Sequence, residues 1–122
     1  MDVASLIEEL RSQGISDKKV LESIKNILRE NFVLPEYKDL AYENEALPTK
    51  SGQTISQPYT VAFMLQELEL KEKDKVLEIG AGSGWNSALI NNITKNKVFS
   101  VEYNKKVAQF AKQNLKKAKI KN

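Results

Sequence analysis

The sequence of 122 residues contains no cysteine and no histidine. Without cysteine the chain can form neither a disulfide framework nor a thiolate zinc site. Without histidine it lacks the side chain that most often acts as a general base and most often binds metal ions. We therefore expect no metal site, and any chemistry of this chain has to work without a histidine-based catalytic triad.

Long apolar segments are also missing. The first 13 residues carry Asp2, Glu8 and Glu9, a composition that excludes a secretory signal peptide, and no later run is long enough to cross a bilayer. Hydrophobic residues make up 41% of the chain and charged residues 29%, as is ordinary for a soluble globular protein of one small domain. We expect a cytoplasmic protein with no membrane partner.

Acidic residues are absent after Glu102, although the net charge of the whole chain is only +3. The lysines of this last part are Lys105, Lys106, Lys112, Lys116, Lys117, Lys119 and Lys121. We interpret them as the solvated face of a helix, with an anionic partner such as RNA as the alternative. Charge alone therefore does not predict a nucleic-acid partner.

Hydrophobic periodicity and capping signals predict helices first and then an alternation of strands and helices. The predicted helices span residues 3–12, 17–30, 58–69, 85–94 and 104–117, and the predicted strands span 75–79 and 97–102. Asp2 and Ser16 are the predicted N-caps of the first two helices. Residues 31–58 lack a regular period but contain aromatic and apolar residues, which favours a packed segment over a disordered one.

The strand–helix–strand unit predicts an α/β fold with parallel strands, the opening of a Rossmann-like sheet. Two parallel strands leave both faces and both edges uncovered, so we expect further strands, the next one beginning near residues 120–122. We divide the chain into an N-terminal helical, substrate-side segment at residues 1–58 and a partial Rossmann-like, cofactor-binding domain at 59–122, within one structural unit.

A glycine loop at residues 80–84, GAGSG, joins the first predicted strand to the helix after it. Glycines allow a sharp turn and a close approach of a ligand to the backbone, and the first N–H groups of the helix can bind polar ligand atoms. Trp85 stands where a dinucleotide fingerprint would require glycine. The loop therefore favours a ligand other than a dinucleotide, with a plain turn as the alternative.

Glu102 ends the next strand, and adjacent parallel strands place their carboxyl ends side by side. A carboxylate at that position can accept hydrogen bonds from both hydroxyls of a ribose bound over the glycine loop. An exposed strand-end glutamate without a function is the alternative. Ser56, which precedes the helix predicted from Pro58, is typical of an N-cap, and contact with a substrate is its alternative role.

Four segments together resemble protein-L-isoaspartate O-methyltransferases. They are FVLP at 32–35, AYENEALP at 41–48, GQTISQP at 52–58 and VLEIGAGSGW at 76–85, with SVE at 100–102 matching the second strand of that family. The resemblance covers the chain from about residue 30 to its end. The glycine loop is shared by many methyltransferases, whereas GQTIS followed at this distance by EIGAGSG is much more specific.

The resemblance implies the first half of a class I S-adenosylmethionine-dependent methyltransferase fold, with an incomplete sheet. It implies transfer of a methyl group from S-adenosylmethionine to the α-carboxylate of isoaspartyl residues in damaged proteins or peptides, a repair reaction. Ser56 is the implied catalytic residue. The implied cofactor-binding residues are Gln53, Thr54, Ile55, Ser56, Glu78, Gly80, Gly82, Ser83, Gly84 and Glu102.

The sequence also departs from the family pattern. Pro48-Thr49-Lys50 replaces proline-isoleucine-glycine, Trp85 replaces tyrosine, and the later strands with their acidic-glycine motif are missing. Two alternatives therefore stay open: another S-adenosylmethionine-dependent methyltransferase that acts on RNA, and a truncated, non-catalytic cofactor-binding module. A partner chain, or self-association through the unpaired sheet edges, would then complete the sheet.

Overall fold

The structure, a computed structural model, describes residues 1–120. Its helices are α1 (Val3–Ser12), α2 (Lys18–Asn26), α3 (Pro58–Leu68), α4 (Trp85–Thr94) and α5 (Lys105–Lys117), and its strands are β1 (Leu47–Pro48), β2 (Thr54–Ile55), β3 (Val76–Ile79) and β4 (Val98–Val101). The bounds predicted for α1 and α4 are confirmed, and those for α3, α5, β3 and β4 differ by a single residue at one or both ends. None of the helices in residues 1–120 is long and apolar enough to cross a membrane.

The second helix is shorter than predicted and starts from a different cap. It ends at Asn26, because Ile27 and Leu28 have extended backbones, and a 3₁₀ turn then covers Arg29–Phe32. The prediction of Ser16 as its N-cap is wrong. Asp17 is the cap, and its Oδ1 accepts hydrogen bonds from the N–H groups of Lys19 at 2.9 Å and Val20 at 3.4 Å.

The two strands of the Rossmann-like unit pair in parallel, as predicted, with Val76 opposite Val98 and Ile79 opposite Val101. Helix α4 connects them and packs against one face of the pair, where Glu78 and Ser100 both contact Ser87 of α4. In residues 1–120 these strands form a sheet of two. We expected a third strand to begin near residues 120–122. Residues 121 and 122 lie outside the described part of the chain.

One hydrophobic core joins the N-terminal helices to the strand–helix unit. Helix α2 packs on α4, and the buried Ser23 Oγ donates a hydrogen bond to the carbonyl of Leu89 at 2.9 Å. The largest fully buried side chains of the core include Trp85, Phe32, Leu6, Leu10, Ile15, Ile24, Leu65, Leu89, Val20 and Val33. This arrangement fixes α3 and α4 relative to each other, and the candidate site lies between them.

The irregular stretch is packed, as predicted. It contains a 3₁₀ helix at Pro35–Leu40, the antiparallel pair of β1 and β2, and a turn at Lys50–Gly52. Phe32 and Leu47 are buried, and Tyr37 and Tyr42 pack against the core. The Lys50 ammonium lies 5.9 Å from the ring centre of Phe110, so the turn also rests on α5.

Helix α5 is strongly amphipathic. It buries Val107, Phe110, Ala111 and Asn114 and leaves its lysines exposed. The predicted solvated lysine face is therefore present in α5, while Lys121 lies outside the described residues. Asn104 is the N-cap, and its Oδ1 accepts hydrogen bonds from Lys106 N–H and Val107 N–H.

Gly84 joins the glycine loop to α4 at the point where α5 crosses. Its φ of +92° is in the left-handed region, and a Cβ placed on it would lie 3.3 Å from the carbonyl oxygen of Ala111 and 3.3 Å from Leu115 Cγ. Gly80 has a similar φ of +87°, but open space surrounds its Cβ position. Gly84 therefore permits both the turn and the close packing of α5, whereas Gly80 permits the turn alone.

Replacing Asp17 with alanine should lower the free energy of unfolding by about 1 kcal/mol, because α2 loses the acceptor for its first N–H groups. Ser16→Ala is the matched control and should change the free energy of unfolding by less than about 0.5 kcal/mol. The hydrogen bond of Ser16 runs through its backbone N–H to Gln66 Oε1, and alanine keeps that group. Urea unfolding measures both variants, and equal losses would contradict the assignment of the cap to Asp17.

Gly84→Ala should destabilise the chain more than Gly80→Ala. Both variants place a side chain in the left-handed region, at a cost of about 1 kcal/mol. Only Gly84→Ala also forces α5 away, which adds about 1–3 kcal/mol. The free energies of unfolding in urea give the comparison, and a Gly80→Ala loss as large as that of Gly84→Ala would refute the packing role of Gly84.

Candidate functional site

A cavity of about 580 Å³ opens where β3 and β4 end, between the glycine loop, the β2 segment and α3. Its volume is within the range of small-molecule sites in proteins. All of the predicted site residues except Gly84 line it, namely Gln53, Thr54, Ile55, Ser56, Glu78, Gly80, Gly82, Ser83 and Glu102. The structure thus brings together segments that lie up to about 50 residues apart in the sequence.

The glycine loop extends β3 and then turns away from the sheet. The N–H groups of Gly80 and Ala81 both donate to the carbonyl of Val101, at 2.7 and 3.1 Å, which ties the loop to the end of β4. Within residues 1–120, the Cβ positions of Gly80 and Gly82 have no heavy atom within 4 Å other than those of the glycine itself and its chain neighbours. The loop backbone therefore faces open space, and a ligand can approach it without meeting side chains.

Glu102 lies against the loop, as its position at the strand end predicted. Its Oε1 accepts a hydrogen bond from Gly82 N–H at 3.0 Å, and its Oε2 accepts one from Asn104 N–H at 3.0 Å. Each carboxylate oxygen has a second lone pair. The two backbone donors hold the carboxylate in one orientation, and acceptor capacity remains on the cavity side.

Glu78 is buried under the loop and joins both strands to α4. Its Oε2 accepts a hydrogen bond from Asn86 Nδ2 at 2.8 Å, and its Oε1 accepts hydrogen bonds from Ser100 Oγ at 2.7 Å and from Ser87 Oγ. A buried carboxylate is stable when such donors replace its water. Glu78 thereby fixes the first turn of α4 beneath the cavity.

Ser56 is exposed at the cavity, and its interpretation as an N-cap is wrong. Gln57 occupies the cap position of α3 without a capping bond from its side chain. Asn44 serves the helix instead, because its Oδ1 accepts a hydrogen bond from Tyr59 N–H at 2.9 Å, while its carbonyl accepts one from Gln57 Nε2 at 3.0 Å. The Ser56 hydroxyl is therefore not used for capping.

Arg29 does not line the cavity but holds the backbone of Ser56, a role that the sequence did not reveal. It is only 1% exposed, and its guanidinium donates hydrogen bonds to the carbonyls of Ala41, Glu43, Glu45 and Ser56, at distances between 2.7 and 3.4 Å. The guanidinium also lies 5.2 Å from the ring centre of Trp85. Burial lowers the pKa of Arg29 to about 10, so the side chain stays charged at neutral pH.

The sequence also did not reveal that α3 forms a wall of the site. Val61 and Leu65 are buried, and they line the cavity together with the exposed Met64 and Leu68. Only the position of α3 opposite the glycine loop reveals this second role. The cavity thus has a polar floor of loop and carboxylates and one apolar side.

The family profile described as protein-L-isoaspartate(D-aspartate) O-methyltransferase matches residues 1–122. A protein-L-isoaspartate O-methyltransferase of Dictyoglomus turgidum is 48% identical over 112 residues, which are 92% of this chain and 50% of the relative. The Cronobacter sakazakii enzyme of the same name is 45% identical over 98% of this chain and 57% of its own. The chain thus spans about half the length of these curated relatives.

Solved structures agree with the fold. A protein-L-isoaspartate O-methyltransferase superposes with a TM-score of 0.87 at 31% identity, over 99% of this chain and 40% of its own. A Plasmodium falciparum protein described as a beta-aspartate methyltransferase, in complex with S-adenosyl-L-homocysteine, has a TM-score of 0.81 at 27% identity, over 94% and 55%. The fold is therefore the first part of a Rossmann-like methyltransferase, and the chain belongs to the protein-L-isoaspartate(D-aspartate) O-methyltransferase family.

Proposed function

We propose that the cavity binds S-adenosylmethionine and that the chain takes part in methyl transfer to the α-carboxylate of isoaspartyl residues in damaged proteins. The observation that carries this proposal is the convergence of Glu102, the glycine loop and the Thr54–Ser56 segment on one cavity. The relative that was solved with S-adenosyl-L-homocysteine supports the cofactor class. A cytoplasmic location is part of the proposal.

Each part of the cavity has a role in this proposal. Glu102 accepts hydrogen bonds from the ribose hydroxyls, and Gly80 and Gly82 allow the ligand to approach the backbone. Ser83 lies just before α4, and Glu78 of β3 accepts a hydrogen bond from Asn86 in the first turn of that helix. Gln53, Thr54 and Ile55 form the opposite border. Residues 59–122 hold the cofactor, and residues 1–58 present the substrate side.

The chemistry suits a chain without histidine. When bound, S-adenosylmethionine supplies an electrophilic methyl group on a sulfonium. The α-carboxylate that receives it is ionised at neutral pH, so the chain needs no general base. Its task is to align the reactants and to exclude water, and alignment alone can contribute roughly 7–11 kcal/mol in favourable cases.

Ser56 is the proposed catalytic residue. Its hydroxyl donates a hydrogen bond to the substrate carboxylate and orients one oxygen toward the methyl group. The backbone beneath it is fixed, because Arg29 Nη2 donates to the Ser56 carbonyl at 3.1 Å. The exposed Met64 and Leu68 of α3 border the cavity as an apolar wall that limits water.

The incomplete sheet favours a second candidate, a cofactor-binding module without turnover of its own. Titration of the chain with S-adenosyl-L-homocysteine, followed by an assay of methyl-ester formation on an isoaspartyl peptide, separates the two. Binding with turnover supports the enzyme, and binding without turnover supports the module. Absence of binding would refute both, and methylation of RNA but not of the peptide would support the RNA-directed alternative.

Glu102→Gln should weaken binding of S-adenosyl-L-homocysteine by about 10- to 100-fold, because a neutral amide replaces a charged acceptor worth about 1.5–3 kcal/mol. Isothermal titration calorimetry measures the dissociation constant. Glu67→Gln, on the exposed side of α3, removes the same charge away from the cavity and should leave it unchanged. An equal effect of the two substitutions would contradict the role of Glu102 in ribose binding.

Ser56→Ala should lower kcat/KM for an isoaspartyl peptide by about 10- to 100-fold, since the carboxylate loses the donor that orients it. The assay uses a chimera in which the C-terminal half of the Dictyoglomus turgidum relative follows the chain. Ser12→Ala, on the exposed end of α1, is the control, and unchanged turnover of Ser56→Ala would rule out the proposed role.

A further inference from the structure

Arg29 and Trp85 make a buried contact behind the cavity. The Cζ atom of Arg29 lies 5.2 Å from the ring centre of Trp85, and each side chain is only 1% exposed. Arg29 begins the 3₁₀ turn Arg29–Phe32, and Trp85 is the first residue of α4. The contact therefore joins the substrate-side segment, residues 1–58, to the helix that follows the glycine loop.

The charge of Arg29 ties its position to that of the ring. The ion pairs within residues 1–120 do not involve Arg29. Its partners are four backbone carbonyls and the face of Trp85, and an aromatic face attracts a cation more strongly where water is excluded. A ring that moved away would leave a buried charge with fewer partners, which is unfavourable. We therefore expect the guanidinium to follow any shift of Trp85.

Trp85 in turn follows the glycine loop. Its backbone N–H donates to Ser83 Oγ at 3.3 Å, and the N–H of Gly84 donates to the carbonyl of Ala81 at 3.0 Å. Trp85 also borders the cavity, together with Ala81 and Ser83. The ring thus lies between the loop on one side and the guanidinium of Arg29 on the other.

Arg29 acts on the opposite border of the cavity through the backbone. Its Nη2 donates to the carbonyls of Ser56 at 3.1 Å and Glu45 at 3.0 Å, and its Nη1 donates to that of Ala41 at 2.7 Å. Arg29 itself does not line the cavity. Its position therefore determines where Ser56 lies, although it touches no bound reactant.

We propose that Arg29 and Trp85 are a positioning pair, which holds Ser56 at a fixed place relative to the glycine loop. The inference rests on the proposed function, because Ser56 has to orient a carboxylate toward a methyl group held over the loop. An error of about 1 Å in such an alignment can lower a rate about 100-fold. The planar fork of the guanidinium serves several carbonyls and one ring face, whereas a lysine ammonium supplies only the charge.

The first measurement is turnover of the isoaspartyl peptide by the chimera described above. Arg29→Lys should lower kcat by about 10- to 100-fold, because the carboxylate and the methyl group lose their alignment. The dissociation constant of S-adenosyl-L-homocysteine should stay within about twofold, because Arg29 does not line the cavity. Arg11→Lys, the same substitution on the exposed side of α1, is the matched control and should change neither quantity.

The second measurement needs neither ligand nor turnover. Trp85→Leu and Trp85→Phe both remove the indole, but only phenylalanine keeps a ring face for the guanidinium. In the free chain, Trp85→Leu should speed hydrogen exchange at the N–H groups of Glu43 and Glu45 by about tenfold more than Trp85→Phe does. These N–H groups bond to the carbonyls of Leu40 and Glu43, in the segment that Arg29 holds. Exchange within α1 is the reference for global unfolding.

The results separate this inference from the proposed function. An unchanged kcat in Arg29→Lys, or a loss of kcat matched by an equal loss of S-adenosyl-L-homocysteine binding, would overturn the positioning role and leave the function intact. Equal exchange in the two Trp85 variants would also overturn it. If the unsubstituted chimera does not methylate the peptide, the proposed function fails, and the exchange comparison alone then supports or refutes the pair.

Discussion

The candidate site depends on the hydrogen bonds that the buried guanidinium of Arg29 donates to backbone carbonyls. Burying a charge is costly unless donors and acceptors around it are paired, and here four backbone carbonyls from two separate chain segments meet one side chain. The planar, forked donor set of arginine can reach several carbonyls at once, which a lysine ammonium cannot do in the same geometry. Arg29 thereby joins the 41–45 segment to Ser56 and rests on Trp85.

Asn44, which belongs to the segment held by Arg29, sets the start of α3. Its side chain accepts the hydrogen bond of Tyr59 N–H, and its carbonyl receives the side chain of Gln57. A helix usually takes its cap from the residue just before it, but here the cap comes from a distant loop. The consequence reaches the site, because the Ser56 hydroxyl is not used for capping and Ser56 lines the cavity.

The difference between local and distant partners explains what the sequence could predict. The bounds of α1 and α4, the parallel strands and the meeting of Glu102 with the glycine loop follow from short-range patterns. The cap at Asp17 is a local contact too, with Lys19 and Val20, but Ser16 beside it is an equally common cap residue. The roles of Arg29 and Asn44 depend on partners 12 or more residues away, which no local spacing encodes. Gly84 is intermediate, since a glycine that faces α5 and one that faces a ligand look alike in a motif.

The two faces of the sheet explain how half of a fold can contain an organised site. On the face toward α4, the Glu78 carboxylate is satisfied by Ser87, Ser100 and Asn86, and this network sets the loop and the first turn of α4. The loop also bonds to Val101 and Glu102, which belong to the same half. The geometry of the candidate site therefore arises within the described residues. The other face carries the side chains of Leu77, Ile79, Phe99 and Val101, which are exposed in the described residues and lie outside this network.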